Sequence, residues 1–292
     1  MNNHLFFSYI TIGEIMKKTL ILLFSILLSF FLIHESMLSS KKKDPIFLQI
    51  EESIPSYEVL STNGMIQGND MIVGKNGMEV DVQKSYQEMK KYGSYNESLT
   101  TMKKVSPSIS MIDHYDKYLI QGNFLDRKVS FVFPVFQNTN ISKILSILET
   151  KDVVGTFFLD GTFLEKNTQL IRKNSHHEYE ILSYDNSYQK SFFQTSLSYL
   201  ETITKKEPSF CYAEKENKEL LTLCQKLKKH TIKPQYILEK DAYLEIQNHL
   251  EHGMFFSFSW NPSLEKELPI IIDYIHSKGY KIVPLKELLQ EE

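Results

Sequence analysis

Two carboxylates in this chain are placed where they could carry acid–base chemistry. Asp160 closes one β-prone run of residues, and Asp185 follows the next such run. If both runs are parallel strands of one sheet, the two carboxylates reach the same edge, where such a pair can act as general acid and base. The alternative is structural, because Asp before Gly161 and Asp beside Asn186 are also typical turn residues.

Histidine offers no clear set of metal ligands. His176 and His177 are adjacent, so their side chains point in different directions, and they precede a β-prone run instead of following it. We interpret them as surface or packing residues. The other candidates stand alone in predicted helices or at their ends and are interpreted as surface residues: His230, His249, His252 and His276.

A third set of side chains could bind a ligand without reacting with it. These residues fall at or just past the ends of predicted strands: Phe136, Tyr184, Tyr212, Trp260 and Asn261. Aromatic faces stack on the C–H faces of sugar rings, and Trp260 is the only tryptophan in the chain. Together with Asp160 and Asp185, this set predicts a ligand-binding mouth. The alternative is that the aromatic side chains only fill a cavity.

The elements that position these residues follow an alternating pattern from residue 128 onward. Amphipathic helical patterns, such as Ile141, Ile144, Leu145 and Leu148, separate short apolar runs. This alternation predicts a parallel sheet covered by helices, either a closed barrel or an open doubly wound sheet. The apolar runs are residues 129–133, 153–159, 179–184, 209–213, 236–238, 254–260 and 281–285.

Three segments of this region resemble the polysaccharide deacetylase family, which has the NodB-homology domain of carbohydrate esterase family 4. They are residues 128–136 (KVSFVFPVF), 141–181 and 268–289, and the resemblance covers residues 126–292. Their most specific pieces are GTFF, EKN and SKGYK. The resemblance implies an α/β fold, a distorted (β/α) barrel with its site at the carboxyl ends of the strands. It also implies hydrolysis of N-acetyl groups by a metal-activated water.

The residues that the family uses for this chemistry are absent at the matching positions. The catalytic base falls on Pro134 and the metal-binding aspartate falls on Val135. The two metal-binding histidines fall on Leu182 and Asn186. The arginine that orients the base falls on Cys211, and the catalytic histidine falls on Ser259. A cation needs carboxylate or imidazole donors. We therefore expect no metal, no other cofactor and no deacetylation.

The resemblance then implies an inactive deacetylase-like domain that binds or scaffolds a glycan of the cell envelope, such as peptidoglycan. One alternative is a membrane-tethered interaction protein that works through residues 45–120. Another is a residual hydrolase of N-acetylated polysaccharide. The net charge of −3 gives no case for nucleic acid as a partner, since that would need a basic face.

The amino-terminal segment predicts a location. Lys17 and Lys18 precede an apolar run at residues 19–33, which is typical of a signal sequence. No small-residue cleavage site follows, so we favour an uncleaved anchor over a cleaved signal. We expect the rest of the chain to be membrane-anchored or secreted on the extracytoplasmic face. Met16 is an alternative start to Met1.

We predict three parts: an anchor at residues 1–40, a small α+β module or stalk at 41–122, and the barrel at 123–292. In the module, two Asn-Gly pairs at residues 63–64 and 76–77 predict hairpin turns. Asp81 is expected to cap a helix that runs to Tyr92 and ends at Gly93. In the barrel, Cys211 and Cys224 are expected to be small buried apolar residues and not a bridge.

Overall fold

The computed structural model describes residues 17, 19–29, 31, 43–183 and 187–291. The chain divides into two compact units, Met1–Val59 with Met78–Lys104, and Leu60–Gly77 with Val105–Glu292. The helices are α1 (residues 19–29), α2 (Pro45–Ser53), α3 (Val82–Tyr92), α4 (Ser142–Thr150), α5 (Gly161–Lys166), α6 (Thr168–Lys173), α7 (Lys190–Thr204), α8 (Lys218–Lys226), α9 (Ala242–His249), α10 (Leu264–Ser277) and α11 (Leu285–Leu289).

The strands are short apart from one. They are β1 (Met65–Gln67), β2 (Asp70–Ile72), β3 (Gly77–Val80), β4 (Met102–Val105), β5 (Tyr118–Gln121), β6 (Lys128–Val135), β7 (Thr156–Asp160), β8 (Glu178–Ser183), β9 (Phe210–Tyr212), β10 (His230–Ile232), β11 (Tyr236–Leu238), β12 (Phe255–Phe258) and β13 (Lys281–Ile282).

The first unit contains α2, α3 and the β3–β4 pair. Its core joins Phe47 of α2 to Tyr86 of α3, whose rings meet edge to face with centroids 5.7 Å apart. The predicted helix is confirmed. The Asp81 carboxylate accepts the N–H of Lys84, and Gly93 ends α3 with φ +74°. This is the left-handed conformation that glycine adopts without strain.

The predicted anchor is described only in part. Residues 19–29 are helical, with their apolar side chains exposed. Among the described residues, no helix is both long enough and apolar enough to span a bilayer.

The second unit is built on a curled half-barrel sheet of eleven strands. Their order is β1-β2-β5-β10-β9-β8-β7-β6-β12-β11, and β13 also pairs with β6. Only β1 and β2 pair antiparallel, and the other neighbours are parallel. The predicted α/β fold with a barrel-like sheet is therefore confirmed. Because β1 and β11 stand at the two ends of this order, the barrel is open.

Buried side chains cover both faces of this sheet. On the outer face, Phe133 stacks between Phe157 and Phe258, with ring centroids 4.9 and 5.1 Å away, and helices cover this layer. On the inner face, Val132 and Phe158 pack with leucines of α11. Because successive side chains of a strand point to opposite faces, these two layers show which residues of each strand face the inside of the half-barrel.

The division of the chain differs from the predicted boundary at residue 122. Strands β1, β2 and β5 precede that boundary but belong to the half-barrel sheet, because β5 pairs with β10 and β2 pairs with β5. The predicted Asn-Gly hairpin turns are wrong, since neither pair joins two paired strands. The chain reverses between β1 and β2 at Gly68 instead, with φ +62°.

Candidate functional site

The end of β6 holds the first two family positions. Val132 lies in the inner cluster, while Phe133 and Val135 lie in the outer one. The alternation of a strand therefore directs Pro134 to the inside. Pro134 offers only its backbone carbonyl, which accepts the indole N–H of Trp260. Neither Pro134 nor Val135 has a side-chain atom that could hold a metal or take a proton.

The other family positions are equally without donors. Leu182 is buried on the inner face of β8, and Asn186 lies outside the described residues. Ser259 is half-buried after β12, where its backbone N–H donates to the carbonyl of Leu238 at 3.0 Å. Within the described ranges, no three His, Cys, Asp or Glu side chains come together as a metal site. These residues do not fit a divalent metal ion.

The space inside the half-barrel is filled by a polar pair. The Tyr212 hydroxyl of β9 and the Ser257 hydroxyl of β12 are 2.8 Å apart, and the Phe158 ring lies 5.4 Å from that of Tyr212. Tyr212 is only 4% exposed, and burial raises its pKa to about 12. Tyr212, predicted as a ligand-binding residue, is therefore part of the core and not of an open surface.

The residue at the position of the orienting arginine is locked in a disulfide. Cys211 of β9 is bonded to Cys224 of α8, with their Cα atoms 6.5 Å apart. The prediction of two unbridged cysteines is wrong. The spacing of thirteen residues along the chain does not reveal that α8 returns along the outer side of β9, which brings the two Cα atoms within disulfide reach.

The structure gives Asp160 a structural role. Its carboxylate accepts the N–H of Thr162 at 3.0 Å, which caps α5, and the hydroxyl of Ser183 at 2.7 Å. The side chain is 1% exposed. Asp185, its proposed acid–base partner, and Tyr184 lie outside the described residues. This geometry agrees with the structural interpretation of Asp160 and not with the acid–base one.

Two histidines are buried at the amino-terminal ends of strands. His177 precedes β8, and its Nδ1 accepts the N–H of Gly155 at 3.2 Å, in agreement with a packing role. His230 begins β10 and is 6% exposed, so its prediction as a surface residue is wrong, because the strand that buries it was not recognised. Burial lowers the pKa of each imidazole to about 4.

An open groove lies at the carboxyl ends of β6 and β12. Its volume is about 780 Å³, and its walls are the segments that follow these two strands. It brings together three of the predicted mouth residues, Phe136, Trp260 and Asn261. Phe136 is 47% exposed and Trp260 is half-buried. The groove therefore presents aromatic surface next to, and not inside, the filled half-barrel.

The polar walls of this groove were not predicted. Gln137, Asn138 and Asn140 contribute amides from the loop after β6. An ion pair between Lys143 and Glu265, 2.7 Å apart, crosses one end. The signal for these residues was the amide-rich sequence QNTN directly after a buried strand.

Asn261 has a structural task in the same wall. Its side-chain oxygen accepts the N–H groups of Ser263 and Leu264 at 2.9 and 3.0 Å, and its side-chain amide donates to the carbonyl of Glu239 at 2.6 Å. Asn261 thus holds the start of α10 in place and shapes the groove.

No family model matches the sequence. The uncharacterized protein YlxY of Bacillus subtilis (strain 168) is 32% identical over 141 residues, which are 48% of this chain and 44% of that protein. The match therefore spans less than half of the relative's length.

Solved structures match over more of the chain. A family 4 carbohydrate esterase pseudoenzyme from Bacillus anthracis is 23% identical, with TM-score 0.64, over 85% of this chain and 96% of that one. A mutant of that pseudoenzyme with restored enzymatic activity is 22% identical, with TM-score 0.64, over 85% and 99% of the two chains. A family 4 carbohydrate esterase from Bacillus subtilis is 18% identical, with TM-score 0.51, over 61% and 86%. These likenesses confirm, for the fold, the resemblance to polysaccharide deacetylases.

Proposed function

We propose that this chain is a divergent, catalytically inactive member of carbohydrate esterase family 4 that binds a polysaccharide instead of deacetylating it. One observation carries the proposal: the inside of the half-barrel holds a Tyr212–Ser257 hydrogen bond and apolar side chains. Deacetylation of this kind needs a metal ion held by carboxylate and imidazole, together with a basic residue for the attacking water.

The groove after β6 and β12 is the proposed binding site. Its exposed Phe136 and half-buried Trp260 supply aromatic faces that can stack on sugar rings. Its amides can donate to and accept from hydroxyl and acetamido groups. Lys143 and Glu265 neutralise each other, so a neutral N-acetylated chain suits this groove better than a strongly charged one.

The proposed location is the extracytoplasmic face of a membrane, with residues 19–33 as anchor and an envelope polysaccharide such as peptidoglycan as ligand. The basic pair Lys17 and Lys18 before an apolar run supports an anchor or signal. The disulfide between Cys211 and Cys224 supports the same side of the membrane, because disulfides persist in oxidising compartments.

Binding is tested by titrating the purified full chain with chito-oligosaccharides and soluble peptidoglycan fragments. Phe136→Ala removes an exposed ring and should weaken binding about tenfold, which is about 1.4 kcal/mol. Trp260→Ala should have at least the same effect. The matched control is Tyr92→Ala, which removes another exposed ring, 71% exposed, from the other unit. The binding proposal fails if the unaltered chain binds neither ligand, or if Phe136→Ala and Tyr92→Ala bind equally well.

Inactivity is tested separately. The full chain is incubated with zinc or cobalt and dialysed, after which its metal content and its release of acetate from N-acetylated oligosaccharides are measured. We expect far less than one metal ion per chain and no acetate. Stoichiometric metal with acetate release would overturn the inactive assignment, whatever the outcome of the binding experiment.

A further inference from the structure

A second cavity lies at the other edge of the half-barrel sheet, where β9 and β10 begin. Its volume is about 210 Å³. Because these strands are parallel to β6 and β12, this edge is opposite the groove. Ser209 and His230 line the cavity at the starts of the two strands, Tyr115 lines it from the segment before β5, and Lys286 from α11. Neither the deacetylase resemblance nor the proposed glycan site uses this cavity.

Its lining carries an excess of positive charge. Lys228, Lys229 and Lys286 face a single carboxylate, that of Glu207. Lys229 lies 2.7 Å from Glu207. In the described part of the chain, the ammonium groups of Lys228 and Lys286 have no carboxylate within 4.0 Å. Two cations are therefore left without a close counter-charge around one small cavity.

One carboxylate behind the lining, that of Glu178, is a weak counter-charge for Lys286. Glu178 accepts the backbone N–H of Lys286 at 3.2 Å and the hydroxyl of Thr156. Desolvation raises the pKa of Glu178, which disfavours its charged form. It therefore offsets the charge of Lys286 less than an exposed carboxylate would.

The wall also contains a buried polar atom without a partner. His230 Nδ1 is shielded from solvent and makes no hydrogen bond within the described residues. The Tyr115 ring stacks on the imidazole with centroids 4.1 Å apart and holds it in place. His230 therefore contributes a neutral ring to the wall, while its Nδ1 stays closed off from the cavity.

We propose that this cavity binds a phosphoryl group, with Lys228 and Lys286 supplying the positive charge. Lysine is a common point-charge partner of phosphate. A phosphomonoester of a small molecule and a phosphodiester of a polymer share this chemistry. The inference does not depend on the glycan groove, because the two sites lie at opposite edges of the sheet and use different side chains.

The test is calorimetric titration of the full chain with glycerol 3-phosphate, and with poly(glycerol phosphate), at low salt and again at physiological salt. Saturable binding that weakens with salt is expected. The double variant Lys228→Gln/Lys286→Gln should weaken binding at least tenfold. Lys218→Gln/Lys226→Gln removes the same charge from exposed positions of α8 outside the cavity and is the matched control.

The outcomes separate clearly. If poly(glycerol phosphate) binds more tightly per phosphate than glycerol 3-phosphate, and Lys228→Gln/Lys286→Gln loses this binding, the result supports a phosphate-bearing polymer as the ligand. If both probes bind equally well and the same variant loses both, the result supports a small phosphorylated ligand. The inference is overturned if neither probe binds, or if both lysine pairs weaken binding to the same extent, since that would show only general attraction to a cationic surface.

Discussion

Tyr212 and Ser257 illustrate how side chains can fill the inside of a half-barrel at positions that offer no metal donors. A metal site replaced by small apolar residues would leave a void, and voids in a core cost free energy. In this chain the Tyr212 ring occupies inner space, and its hydroxyl finds a partner in Ser257. Placing a metal donor at Val135 or Leu182 alone would leave this pair in place.

The hydrogen bond between these residues can be tested by mutation. Tyr212→Phe removes one hydroxyl and leaves the buried Ser257 hydroxyl without that partner, which should lower the free energy of unfolding by about 1–3 kcal/mol. Urea denaturation of the full chain, followed by tryptophan fluorescence, measures the change. The reporter is Trp260, the single tryptophan.

A double-mutant cycle supplies the control for this prediction. Ser257→Ala alone should cost a similar amount, because it strands the Tyr212 hydroxyl. The double variant Tyr212→Phe/Ser257→Ala should cost clearly less than the sum of the two, because both partners are removed together. Strict additivity would show that the two hydroxyls do not interact in solution.

At the scale of elements, the sequence predicts best where one local signal is sufficient. Helix α3 was predicted from Asp81 to Gly93 because a cap, an amphipathic pattern and a glycine stop all lie within it. Strand β6 was found as residues 129–133 because it is a long apolar run. Strands β5 and β10 were missed, because only their pairing with distant strands of the sheet defines them.

In the candidate site, too, the sequence predicts some features and not others. Phe136 and Trp260 were predicted because they follow recognisable strands, and the groove contains both. The same rule places Asp160 at a strand end, and its hydrogen bonds with Thr162 and Ser183 agree with the structural one of its two interpretations. Local sequence gives the position of a side chain at a strand end, whereas its hydrogen-bond partners come from other segments of the chain.

The disulfide between β9 and α8 gives a prediction at this scale. The variant Cys211→Ala/Cys224→Ala opens a link of thirteen residues, which should lower the free energy of unfolding by about 2–4 kcal/mol. Urea denaturation without reductant measures the loss. Dithiothreitol should produce a similar loss in the unaltered chain and no further loss in the variant. Two free thiols in the denatured, unreduced protein would contradict the bridge.

Over 85% of its length the chain shares the fold of the pseudoenzyme structures at 22–23% identity, and buried apolar layers hold its sheet together. Phe133, Phe157 and Phe258 stack on the outer face, on the opposite side of the sheet from Leu182. The same burial that secures the fold also encloses ionisable groups, and these make the stability of the whole molecule depend on pH.

His177 and His230 determine one direction of this dependence. Burial lowers both pKa values from 6.5 to about 4, so the unfolded chain takes up protons before the folded one does. Their contribution to stability is fully present above pH 6.5 and is lost as the pH falls toward 4, by about 1.4 kcal/mol per pH unit for each ring. Glu180 acts in the opposite direction, because desolvation raises its pKa, and its contribution is lost as the pH rises.

The two directions can be separated by measuring the free energy of unfolding of the full chain between pH 7 and pH 4.5. We expect His230→Phe to reduce the loss of stability on acidification. The variant has one imidazole fewer that takes up a proton in the unfolded state but not in the folded state. Glu180→Gln should make the loss steeper, because it removes the group that favours the folded state in acid. If His230→Phe has the same slope as the unaltered chain, His230 is not held neutral by burial. Its place in the wall of the cationic cavity would then have to be revised.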